Sequence, residues 1–180
     1  RTLAPRCSRS CRGRRGEEGG KMSDEMGTVT ELSPDGRFVR IDDPFWSYYI
    51  DRKAAPGLDE RRCGKWMAFF SGLPRAEEVC AKAVLSGAVA ECKHTSAPIV
   101  RAEKTGVMCF YLNGDDRVAH RRVLSFMIEN GLIRKTKTGR LFNIAFKYDD
   151  QTRAGEYGGG FKAKMTLSDL VDLDTGEFLD

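Results

Sequence analysis

Three lysines stand inside stretches that otherwise read as apolar strands. Lys65, Lys93 and Lys147 each interrupt such a run, and Tyr111 lies on the strand that should pass among them. A single lysine in mid-strand ordinarily faces solvent, with its methylene stem laid along the surface. Three that converge do different chemistry. Each ammonium lowers the proton affinity of its neighbours, the cluster attracts an anion, and a partly desolvated lysine can serve as a general base. Phosphate recognition, or proton abstraction next to a carbonyl, is the chemistry such a cluster suits.

Other chemistries are poorly served by the composition. The chain has no Gly-x-Ser-x-Gly and only two histidines, His94 and His120, which leaves nucleophilic triads without support. His120 falls in the apolar arc of a helix and reads as a packed core residue. His94 follows Lys93 on one strand, so their side chains point to opposite faces. The six cysteines form no CxxC pair and no Cys/His zinc spacing, and they read as reduced thiols, with Cys80, Cys92 and Cys109 packed as small hydrophobes. Neither a P-loop nor a dinucleotide fingerprint is present, and the glycine run at 158–160 reads as a flexible turn. No metal and no cofactor is expected.

The elements that must position the lysines follow from periodicity. A helix is predicted over 74–86, where Ala76, Val79, Cys80, Ala83 and Val84 repeat at helical spacing, Pro74 suits the first turn and Gly87 the cap. A second runs over 116–130, with Ala119, Val123, Phe126 and Met127 on one face and Gly131 as its stop. Strands are predicted over 37–41, 65–70, 89–95, 106–112, 141–148 and 161–165, with loops at 97–105 and from 149 onward, and a short helix within 166–173. The aromatic stretch 45–50 should dock on the core, and 51–63 should be a loop or a short helical turn. Helices alternating with adjacent strands across short connections imply an α+β fold: one mixed or antiparallel sheet with helices on one face.

The 180 residues, 41% of them apolar, suffice for one core. Residues 31–180 are expected to form that single α+β domain. The net charge of +4 belongs to the first 21 residues, where seven basic groups meet two acids for a net +5, leaving residues 22–180 at −1. Residues 1–30 therefore read as a disordered basic tail, either upstream sequence ahead of Met22 or a transit peptide. The expected compartment is the cytoplasm, or a mitochondrion or plastid if the tail is a transit peptide. No run approaches the roughly 20 apolar residues of a membrane-spanning helix, so no membrane partner is expected.

The blocks Gly64-Lys65-Trp66-Met67-Ala68-Phe69, Cys92-Lys93-His94-Thr95, Val107-Met108-Cys109-Phe110-Tyr111 before Asp115-Asp116, and Phe146-Lys147-Tyr148-Asp149 before Thr152-Arg153-Ala154-Gly155-Glu156-Tyr157 occur in a recognisable order. Over about residues 64–157 the chain resembles the phosphothreonine lyase domain proteins of bacteria and the basophilic-leukaemia-expressed family of animals. The resemblance implies a fold like that of translation initiation factor 4E, a curved antiparallel sheet backed by helices. It also implies β-elimination chemistry on phosphothreonine, with Lys93 as the base, Lys65 as the charge stabiliser, and Tyr111 with Lys147 or Arg153 as phosphate contacts. The Lys-x-His pair of those lyases reads Lys65-Trp66-Met67 here, and a thioether cannot donate a proton. The implied function is thus binding of a phosphate or other anionic group, on a phosphorylated protein or peptide, with weak or absent elimination. The alternatives are a nucleotide- or RNA-binding module in which Trp46 and Trp66 stack on bases, and an accessory subunit whose basic tail docks on a partner.

Overall fold

A computed structural model describes residues 27–156 and 161–179. The expectations for residues 1–26 and for the glycine run lie outside the described residues. Eight strands form one curved, open sheet: β1 (Thr28–Glu31), β2 (Phe38–Asp42), β3 (Trp46–Asp51), β4 (Cys63–Phe70), β5 (Glu91–Thr95), β6 (Gly106–Asn113), β7 (Ala145–Tyr148) and β8 (Met165–Thr166). Their spatial order is β1-β2-β3-β5-β6-β4-β7-β8, and every pairing is antiparallel. Four helices accompany it: α1 (Leu73–Leu85), α2 (Ala97–Glu103), α3 (Arg117–Glu129) and α4 (Asp149–Arg153). The fold is α+β.

Residues paired across antiparallel strands share a face, and register therefore sorts the sheet into two sides. Trp66, Phe110, Cys92 and Tyr49 align across β4, β6, β5 and β3 and face the long helices. The five apolar residues expected of the first helix are all buried there, as are Ala119, Val123, Phe126 and Met127 of α3. Asp116 caps α3, its carboxylate accepting the Ala119 N–H at 2.9 Å. Trp66 is fully buried and donates from Nε1 to His120 Nδ1 at 3.0 Å, while His120 Nε2 donates to the Gly114 carbonyl. His120 is the packed core histidine that its helical position implies. Cys80, Cys92 and Cys109 are buried and reduced.

Several elements differ from expectation. The segment 97–105, read as a loop, holds α2. Ser96 stands at its N-cap and Pro98 in its first turn, but only Val100 is buried, so no apolar stripe announces it. The loop expected from 149 begins instead with α4, whose Asp149 and Asp150 suit the positive end of the helix dipole. The strand expected over 141–148 is confined to Ala145–Tyr148, and a strand at Thr28–Glu31 includes residues read as tail. The aromatic stretch does more than dock on the core, since Trp46–Asp51 is an inner strand of the sheet. The helices are also not confined to one side. While α1 and α3 share one face, α4 reaches the other through its contacts with β4 and β7.

Candidate functional site

The face turned away from α1 and α3 carries the lysines. Lys147, Lys65, Tyr111 and Glu91 align across β7, β4, β6 and β5; Met67, Cys109, Lys93 and Tyr48 form the next row across β4, β6, β5 and β3. No bulge breaks the register between these strands, and the period-2 parity of the sequence therefore survives in the sheet. Gly64 permits the close seat of β7, because a Cβ there would fall 2.5 Å from the Phe146 ring. The face is covered by a 3-10 turn at Ala55–Gly57 with the loop after it, and by α4. Leu58 packs on Cys63, Cys109 and Tyr111, and the Asn113 side chain ties this loop down through the Asp59 N–H and the Gly57 carbonyl.

Each predicted site residue has a definite place beneath or beside that cover. Lys65 is buried and forms an ion pair with Asp149 at 2.5 Å, with Thr152 Oγ1 at 3.2 Å. Lys93 is 1% exposed. Its ammonium lies 3.9 Å from the centroid of the Trp46 ring, 5.4 Å from Tyr48 and 5.8 Å from Tyr111, and has no hydrogen-bond acceptor among the described residues. Lys65 Nζ lies 5.4 Å from the same Tyr111 ring, so both ammonium groups border one aromatic. Lys147 lies in register beside Lys65, but its Nζ donates to the Glu156 carbonyl at 2.7 Å and meets the Phe161 ring. Arg153 is exposed and donates to the Glu60 carbonyl at 3.0 Å, which links the two pieces of the cover. The structure thus gathers Lys65, Lys93 and Tyr111, sets Lys147 at their edge, and holds the Arg153 guanidinium on the outside.

Further groups complete the site, and of these sequence reasoning weighed only Trp46, as a base-stacking ring. Asp149 neutralises Lys65 across 84 positions of chain, which no local pattern announces. Trp46 and Tyr48 enclose the Lys93 ammonium, and rings so placed stabilise a cation by about 0.5–2 kcal/mol. Glu91 is 1% exposed, and neither of its carboxyl oxygens has a hydrogen-bond donor among the described residues. Burial pushes its acid up to about 7; Lys93 pulls it down and Asp149 adds to the rise. Its spacing of two from Lys93 on one strand was the available signal, since that spacing places both on one face.

His94 lies on the opposite face, as its parity with Lys93 requires. Its Nδ1 donates to the Thr95 carbonyl at 2.8 Å, leaving Nε2 to accept from Tyr49 Oη at 3.3 Å. Burial lowers its basicity and keeps it neutral. Among the described residues no group of three or more His, Cys, Asp or Glu side chains is arranged to hold a metal ion. No helix there is long and apolar enough to cross a membrane. No family model matches this chain, and no curated protein matches it in sequence.

Proposed function

We propose that this chain is a phosphothreonine-lyase-like domain, with a fold of the translation initiation factor 4E kind, that binds a phosphate or other anionic group on its lysine face and has weak or absent β-elimination activity. The observation that carries this is the Lys93 ammonium, fully buried among aromatic rings with no acceptor among the described residues. Burying an ammonium without a hydrogen-bonded counter-charge costs several kcal/mol, more than ring contacts of about 2 kcal/mol return. An anion supplies the missing acceptor. With Lys65 balanced by Asp149 and Lys93 facing an acid that is half protonated near neutral pH, Lys147 leaves the face net positive. Trp46 is half-buried and sits over Lys93, so an anion reaches the ammonium by displacing that ring.

The same geometry disfavours turnover. Elimination needs a lysine with free access to the α-proton while the carbon–oxygen bond breaks, but Trp46, Tyr48 and Tyr111 enclose the Lys93 ammonium. Lys65 is held by Asp149, and Met67, in the row of Lys93, has no proton to give to a departing phosphate. General acid help of about 10²–10⁴-fold is forfeited there. The base-stacking alternative keeps only Trp46, because Trp66 is fully buried under α3.

Calorimetric titration of the full chain with a phosphothreonine peptide and its unmodified twin tests this. Binding of the phosphopeptide alone is expected, weakened at least tenfold in Lys93→Met, with little or no dehydrated product by mass spectrometry. Equal affinity for the two peptides, or none for either, overturns the proposal, and rapid Lys93-dependent elimination overturns its claim of weak or absent activity.

A further inference from the structure

Glu91 and Lys93 stand two residues apart on one strand and point to the same face. Both are 1% exposed, and neither the carboxyl nor the ammonium has a hydrogen-bond partner among the described residues, so the two do not bond each other. Buried polar groups are almost always satisfied, and each exception calls for a specific cause. Here a donor and an acid lie on one face without bonding each other, and a third party that bonds both would satisfy each.

We infer that Glu91 binds the anion as a neutral carboxylic acid, donating its proton to an oxygen of a tetrahedral oxyanion that Lys93 holds by charge. The inference rests on the anion-binding reading above and names a residue and a protonation state for it. Its physical basis is the set of groups that face Glu91: Lys93 on its own strand, Tyr111 across the β5–β6 ladder, and the Lys65–Asp149 pair beyond. Only Lys93 and Lys65 favour an ionised carboxyl, and Lys65 is already matched by Asp149. An arriving anion adds negative charge next to Glu91 and drives it toward the acid form. Two anions side by side repel strongly in a buried site, whereas an anion and an acid can share a hydrogen bond. Anion and proton therefore bind together, and the oxyanion class is one with an oxygen free to accept, such as a phosphate monoester dianion or sulfate.

Sulfate is the informative probe, because it carries no proton of its own near neutral pH. Titration of the full chain with sulfate at pH 8, repeated in buffers of different ionisation enthalpy, reads the protons taken up. Uptake approaching one proton per sulfate is expected. In Glu91→Gln, whose amide still donates, binding should persist with the uptake lost, and affinity should cease to fall between pH 7 and 9. Sulfate binding without proton uptake in the wild type, or uptake unchanged in Glu91→Gln, overturns the inference and leaves the anion site standing. Should Glu91→Gln fail to fold, the wild-type uptake alone decides. If neither sulfate nor inorganic phosphate binds the wild type, the anion reading itself falls, and the inference falls with it.

Discussion

The two faces of one sheet show opposite solutions to burial. On the helix side, Trp66, Phe110, Cys92 and Tyr49 pack under α1 and α3, and the polar atoms of Trp66, His120 and His94 are all bonded. On the lysine side, an ammonium and a carboxyl are equally deep and yet lack hydrogen-bond partners among the described residues. The first face satisfies every polar group that it buries, whereas Glu91 and Lys93 on the second are buried at a cost to stability, the relation expected where a fold gives up stability for function. Since β4, β5 and β6 present both faces at once, alternate residues on a single strand serve opposite ends.

The contrast breaks most visibly under substitution of large side chains. Trp66→Ala should cost about 3–5 kcal/mol of unfolding free energy through the cavity and the lost His120 bond, whereas Lys93→Met, similar in volume, should be neutral or stabilising. Urea denaturation of both variants measures the difference, and a loss above 2 kcal/mol in Lys93→Met would show that the ammonium supports the fold. A smaller effect is expected from pH. Glu91 keeps its proton up to about 7 in the folded protein against an ordinary 4.5, so between those values the folded state binds more protons than the unfolded one. Its contribution to stability is full below 4.5, declines as pH rises through about 7 and is then gone, a change on the order of 1–3 kcal/mol. Stability curves at pH 5 and pH 8 should differ accordingly, and Glu91→Gln should flatten them. The smallest change is expected from Arg153→Ala, which removes one exposed hydrogen bond to the Glu60 carbonyl. Stability should move by less than about 0.5 kcal/mol and phosphopeptide affinity by less than twofold; a tenfold loss of affinity would mean that this guanidinium turns inward to the phosphate.

How far these features can be read from the chain depends on how local their causes are. The stripes of α1 and α3 and the apolar runs of β4 and β6 are local, and their bounds agree with expectation to within a residue or two. The shared face of Lys65, Lys93, Tyr111 and Lys147 required correct register in addition, because one bulge would have inverted a strand. The short helices α2 and α4 bury too few apolar residues to leave a stripe. Asp149 and Trp46 were out of reach for another reason: their roles exist only after distant segments meet, Asp149 at Lys65 and Trp46 over Lys93. Glu91 was within reach, since a mid-strand carboxylate is as anomalous as a mid-strand lysine.

The strand order carries one more consequence. In space β4 lies between β6 and β7, both of which follow it in the chain. As the polypeptide leaves the ribosome, residues 63–70 emerge well before either neighbour exists, a bare β-edge in search of hydrogen bonds. Apolar edges of that kind pair indiscriminately with other chains, and a charge set among them is the usual guard. Lys65 holds that position within Cys63–Phe70, and its charge stays unmatched until Asp149 has been synthesised. The same lysine is thus placed to guard the nascent edge, and replacing it with an apolar residue should show first in the yield of soluble protein.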